Sequence, residues 1–168
     1  MHKFILRLIA LAFLLPALPG QAQMPVAQRI PPVLEEKVEL NAPADKVWEY
    51  VSNPANYKEF SRAKEFWYEG AETGSKIVLT NRKGQKRNQT IGMLVPQMRA
   101  ISYMVTESDY STDKQWVYRL DVEPGDTKDR SVVVIGVYFG FDELPEDMKK
   151  GLSAEIDDMI AGLKKKFK

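Results

Sequence analysis

Histidine and cysteine are almost missing: the one histidine is His2, and no cysteine occurs anywhere in the 168 residues. Serine or cysteine triads that need a histidine are therefore excluded. So are zinc sites of the usual ligand types. What remains is the chemistry of tyrosine, arginine and carboxylates. Tyr103, Tyr118 and Arg119 fall in strand-like segments. They are the weak candidates for promoting a reaction or for holding a polar group. Arginine suits a carboxylate through its fork of donors. Asn81, Arg82, Asn88, Thr90 and Arg119 read more readily as the solvent face of a sheet. Lys83, Lys86 and Arg87 surround a hairpin and read as a solvated basic tip. Acid pairs occur at Glu107/Asp109, Glu146/Asp147 and Asp157/Asp158. Such pairs serve acid–base chemistry only when burial separates their pKa values. These border a loop or sit at exposed helix positions, so no catalysis is expected of them. No glycine-rich phosphate loop or EF-hand spacing appears. Asn88-Gln89-Thr90 is a glycosylation sequon that matters only on a eukaryotic secretory route. No cofactor and no metal are expected.

The elements that must carry these residues follow from periodicity. Val33 to Leu40 alternates loosely and predicts a first strand. Asn41 can cap a helix whose first turn accepts Pro43, and Val47, Tyr50 and Val51 make its apolar stripe beside Trp48. Asn53-Pro54 ends that helix and opens another bearing Tyr57 and Phe60. Strands are then predicted over 63–69, 76–82, 86–95, 99–107, 114–122 and 131–141, separated by turn residues. Sequential strands with short links make an antiparallel meander. Ile101, Tyr103 and Val105 should share one face, and Trp116, Tyr118, Leu120 and Val122 another. Segment 132–141 is apolar on both faces, so both sides are covered or one meets a partner. A long helix closes the chain, beginning at Asp142 or Glu143. Acids at its start and Lys164, Lys165, Lys166 and Lys168 at its end suit the helix dipole. Met148, Leu152, Ile156, Met159, Ile160, Leu163 and Phe167 recur at helical spacing. Gly151 and Gly162 are read as points of close approach to the sheet, with room left for a ligand as the alternative.

The N-terminus reads as a secretory signal: Lys3 and Arg7, an apolar run from Ile5 to Leu15, breaking prolines, then Gly20-Gln21-Ala22. The apolar run is shorter than the ~20 residues needed to span a bilayer, so no stable span is expected after cleavage. Residues 23–32, with three prolines, form a linker to a domain at 33–168. Losing Lys3 and Arg7 leaves 22 basic against 23 acidic residues. No basic field exists to hold nucleic acid.

Several stretches together resemble the START-like superfamily (SRPBCC or helix-grip), within it the polyketide cyclase/dehydrase and lipid-transport members. They are Val38–Leu40, Ala42-Pro43-Ala44-Asp45-Lys46-Val47-Trp48, Asn53-Pro54 with Tyr57 and Phe60, Gly74-Ser75-Lys76, and the terminal amphipathic helix. The resemblance covers nearly all of 33–168. It implies an α+β helix-grip fold: a curved antiparallel sheet of six or seven strands wrapped around a long C-terminal helix, with two short helices after the first strand. A position that such proteins often fill with Trp is Tyr57 here. A single helix cannot cover one whole face of a curved sheet. The remainder is filled by large side chains or by a guest.

The expectation is an exported protein, in a bacterial periplasm, that holds a small hydrophobic or amphipathic molecule between sheet and helix. A lipid, an isoprenoid or a polyketide-like compound would fit. Phe60, Trp67, Tyr103, Trp116, Tyr118, Leu152, Ile156 and Met159 are the expected lining. A cyclase/dehydratase-like enzyme using Tyr103, Tyr118 or Arg119 is the alternative. A module docking on an envelope partner is a third reading. Ligand identity and oligomeric state are not encoded in any motif. If the leader is cleaved after Ala22, intact mass of the exported protein will correspond to a chain starting at Gln23. A mass that includes Met1 would refute this.

Overall fold

A computed structural model describes residues 30–109, 115–140 and 144–168. The predicted leader, most of the linker, Lys114 and the expected start of the last helix at Asp142 or Glu143 lie outside the described residues. Seven antiparallel strands form one sheet, in the order β1-β7-β6-β5-β4-β3-β2. The strands are β1 (Leu34–Leu40), β2 (Glu65–Glu69), β3 (Lys76–Thr80), β4 (Lys86–Val95), β5 (Ala100–Ser108), β6 (Trp116–Pro124) and β7 (Ser131–Phe139). Strands β2 to β7 are a meander. Only β1 pairs out of sequence, with Val38 opposite Val133 on β7.

Between β1 and β2 lie α1 (Ala44–Val51) and α2 (Tyr57–Ser61), joined by a 3₁₀ turn at Pro54–Asn56. The Asn53 side chain accepts from the Ala55 amide at 3.0 Å, so Asn53-Pro54 does start the second helical segment. Asn41 does not cap α1. Pro43 holds the N-cap position and its ring supplies no side-chain bond. The long helix α3 runs Glu146–Lys166, with Glu146 and Asp147 in its first turn and three lysines in its last.

Alternation sorts the sheet into two faces. Ile101, Tyr103 and Val105 on β5 are fully buried, as are Trp116, Tyr118 and Leu120 on β6. Leu152, Ile156, Met159 and Leu163 of α3 pack into the same core. On the doubly apolar β7, Val133, Ile135 and Val137 are buried, while Val132, Val134 and Tyr138 are half-buried on the other side. The register of β4 against β5 slips at Asn88/Gln89 and again at Ile91/Met93. Such irregularities bend a strand and increase its local twist.

At Gly162 the backbone of α3 packs directly against the backbone of α2. A Cβ added there would stand 2.3 Å from the Phe60 carbonyl oxygen and 2.6 Å from its Cα. Both are backbone atoms and cannot swing aside. At an open helix site Gly→Ala would gain about 1 kcal/mol of helix propensity. Here Gly162→Ala should instead destabilise the fold by about 1–3 kcal/mol through overpacking. Urea unfolding of the two proteins gives the sign directly.

Candidate functional site

One charged pair is enclosed in the apolar space between sheet and helix. Arg87 on β4 is 3% exposed. Its Nη1 donates to Oε2 of Glu155 on α3. The same Nη1 lies 3.2 Å from the Tyr118 hydroxyl oxygen, and that hydroxyl donates to Glu155 Oε2 at 2.6 Å. Arg87 Nη2 donates to the Tyr57 hydroxyl at 3.3 Å. The guanidinium carbon sits 4.8 Å from the centre of the Tyr118 ring. The other carboxylate oxygen, Glu155 Oε1, accepts from Asn81 Nδ2 at 3.1 Å.

Each part is placed by an ordinary local rule. Arg87, Gln89 and Ile91 alternate onto the inward face of β4. Tyr118 faces them from β6. Tyr57 begins α2, fixed by the Asn53-Pro54 turn, and its ring meets Tyr103 edge-on at 4.6 Å and stacks on Phe66 at 5.8 Å. Asn81 shapes the β3–β4 turn. Its Oδ1 accepts from the amides of Lys83 and Gln85 at 2.9 and 3.0 Å, while Gly84 takes φ 85°. The amide group of the same Asn81 then reaches Glu155. Nearer the surface, Asp158, one turn further along α3, meets both Arg62 and Arg82 at 3.1 and 3.0 Å.

The charge states are firmly set. Burial works against ionisation of Glu155, but Arg87 and the bonds from Tyr118 and Asn81 outweigh it and hold the carboxyl below its ordinary range. Burial also opposes the charge on Arg87, and Glu155 reverses that. Burial, then the neighbouring Glu155 charge, pushes the Tyr118 phenol well up. Burial raises Tyr57 too, with Arg87 opposing. Among the described residues, no group of acids and histidines is arranged to hold a metal ion.

The expected lining residues divide. Phe60, Tyr103, Trp116, Tyr118, Leu152, Ile156 and Met159 are all in the buried core. Trp67 is not. It is 53% exposed on the outer face, and its strand neighbour Phe66 points inward instead. The candidate catalytic set divides as well. Tyr103 is buried and its hydroxyl donates to the Val51 carbonyl at 3.4 Å. Arg119 lies on the outer face, bound through Nε and Nη2 to the two carboxylate oxygens of Asp121 at 2.7 and 2.6 Å. There it lines an open groove of about 680 Å³ with Lys37, Asp121 and Tyr138. Its alternation with Tyr118 on β6 forces that side.

Arg87 corrects the expectation of a solvated basic tip: Lys86 faces out and Arg87 faces in. Glu155 was not expected at the site at all. The usable signals were the two-residue spacing of Arg87 and Gln89 from Ile91, and the place of Glu155 three residues after Leu152 in the apolar stripe.

A curved sheet gripping a long helix, with a polar cluster held between them, defines the helix-grip class of small-molecule-binding folds. The chain belongs to the family described as polyketide cyclase / dehydrase and lipid transport, which it matches over residues 31–168. Solved structures agree on the fold. Protein XoxI from Bacillus cereus superposes with TM-score 0.67 at 12% identity, over 80% of this chain and 94% of that one. A START superfamily protein from Mycobacterium smegmatis gives 0.61 at 17% identity, over 80% and 95%. Norcoclaurine synthase from Thalictrum flavum, in complex with dopamine and hydroxybenzaldehyde, gives 0.58 at 17% identity, over 77% and 84%. No curated protein matches the sequence.

Removing one partner of a buried ion pair strands the other charge. Glu155→Ala should therefore cost about 3–5 kcal/mol, whereas the double change Arg87→Met with Glu155→Leu should be near neutral or stabilising by about 1–4 kcal/mol. The lowered carboxyl makes the first loss pH-dependent. The pair stabilises fully above the unfolded carboxyl pKa of about 4.3, and this is lost as pH falls through the lower folded value. Urea melts from neutral to acid pH should show the gap between wild type and Glu155→Ala closing only at the acid end.

Proposed function

We propose that the protein is an exported carrier or receptor for one small hydrophobic or amphipathic molecule, held between the inner face of the sheet and α3. A lipid, an isoprenoid or a polyketide-like compound fits this description. The carrying observation is the Arg87–Glu155–Tyr118–Tyr57 cluster inside a mostly apolar interior. Small-molecule sites have this composition: mostly apolar walls with a few converging polar groups. A buried ion pair is a poor way to stabilise a fold, which favours a role in recognition. The family's description and the small molecules named with norcoclaurine synthase support a small-molecule guest. Export rests on the leader-like first 22 residues.

The directions of titration favour binding over catalysis. A general acid or base works best with a pKa near the working pH. Here the phenol of Tyr118 is moved up and the carboxyl of Glu155 down, so both resist proton exchange at neutral pH. The cyclase/dehydratase reading survives in one form, in which Arg87 and a tyrosine hydroxyl polarise a carbonyl without exchanging protons.

Native mass spectrometry of protein purified from its own envelope should show a bound small molecule. Its extraction should lower the melting temperature, and adding it back at about 100 times its Kd should restore about 2.7 kcal/mol. A protein with no adduct, and with the same melting temperature before and after extraction, would overturn the reading.

A further inference from the structure

Three polar atoms on one face of β4 are buried without a hydrogen-bond partner: Arg87 Nε and both Nε2 and Oε1 of Gln89. Gln89 is 1% exposed. The two residues are neighbours on the inward face, and both border the Tyr57 hydroxyl. Arg87 Nη2 donates to it, and the Gln89 amide favours its ionised form without reaching hydrogen-bond geometry. Buried polar groups in folded proteins are rarely left bare. These offer two kinds of donor and one acceptor on successive inward positions of β4.

The charge around them is already closed. Arg87 is balanced by Glu155, which Tyr118 and Asn81 hold in turn. A carboxylate entering here would bring a second negative charge beside Glu155 with no cation to meet it. An alcohol brings no charge. Its oxygen can accept from Arg87 Nε and Gln89 Nε2, and its proton can go to Gln89 Oε1. A ketone can accept but cannot serve Oε1. Resting on the reading that the interior takes an apolar-tailed molecule, we propose that Gln89 and Arg87 Nε form a head-group subsite. This subsite selects an uncharged hydroxyl over a carboxylate on the same tail.

The test compares decanol, methyl octyl ketone and decanoate by isothermal titration calorimetry on the full domain at neutral pH, after extraction of any resident molecule. Affinity should fall in that order, with decanol about tenfold or more tighter than decanoate, because a site built to hydrogen-bond a hydroxyl is left unpaired by an analogue that lacks it. Gln89→Leu should weaken decanol about tenfold and leave decanoate unchanged, without lowering the melting temperature, since it also removes unpaired atoms. Glu155→Gln, which removes the competing charge and keeps the shape, should narrow or invert the preference in favour of decanoate. Equal binding of all three molecules, tighter decanoate binding, or a Gln89→Leu protein that holds decanol as before would overturn the subsite alone. Failure of all three to bind would overturn the interior-ligand reading and the subsite with it.

Discussion

The ion pair between Arg87 and Glu155 is the contact around which the interior is arranged. Moving two charges out of water costs several kcal/mol per ion, and the attraction offsets this only when the geometry is good and the remaining donors and acceptors are met. That requirement ties four elements together. β4 supplies the arginine and α3 the carboxylate. β6 and α2 supply the two tyrosine hydroxyls. The β3–β4 turn adds Asn81, so the same side chain that shapes the hairpin also fixes the helix carboxylate. Sliding α3 along the sheet by one turn would strand a buried charge. Apolar packing alone would resist that far less sharply, because leucine and methionine repack at small cost.

Tyr57 shows how strict the arrangement is. The aromatic body packs against Phe60, Phe66 and Tyr103, and its oxygen accepts from Arg87. A tryptophan here would not serve. An indole offers one donor and no acceptor. Its N–H would face the guanidinium donors of Arg87 with nothing to bind. Tyrosine at 57 is therefore the complement of the arginine on β4, and the two form one physical unit, although thirty positions separate them in the chain.

Much of this was legible in the sequence, and the failures share a cause. Period-two alternation correctly grouped Ile101, Tyr103 and Val105, and likewise Trp116, Tyr118, Leu120 and Val122, but the two groups pair directly across β5 and β6 and so share the inward face instead of occupying different ones. Helical spacing found Leu152, Ile156 and Met159. The glycine at 162 was legible as a position of close packing or of space left for a ligand, and the backbone of Phe60 against it makes it the first. Trp67 was misplaced because Phe66, Trp67 and Tyr68 are all aromatic, so composition cannot say which of them faces inward. Arg87 and Glu155 were missed because charge type contradicts periodicity. Each alone is a costly residue to bury, and solvent is the better expectation. Only the partner reverses that, and the partner lies 68 residues away. A single sequence carries no signal that joins them.

The pair also limits what the interior can do. A carboxyl held low by a guanidinium and a phenol held high by burial are fixed in charge across the neutral range. Fixed charges orient a dipole well and exchange protons badly. In the proposed carrier, a pocket built on them would sense the electrical character of a guest more strongly than its length. Apolar walls distinguish tails only at about 1–3 kcal/mol per methylene, whereas a mismatched polar group leaves buried atoms bare. Selectivity in the proposed carrier would therefore reside in the polar groups of β4 and α3. A single substitution of Arg87 or Glu155 that retunes the guest would also strand a buried charge, whereas one at Gln89 would not.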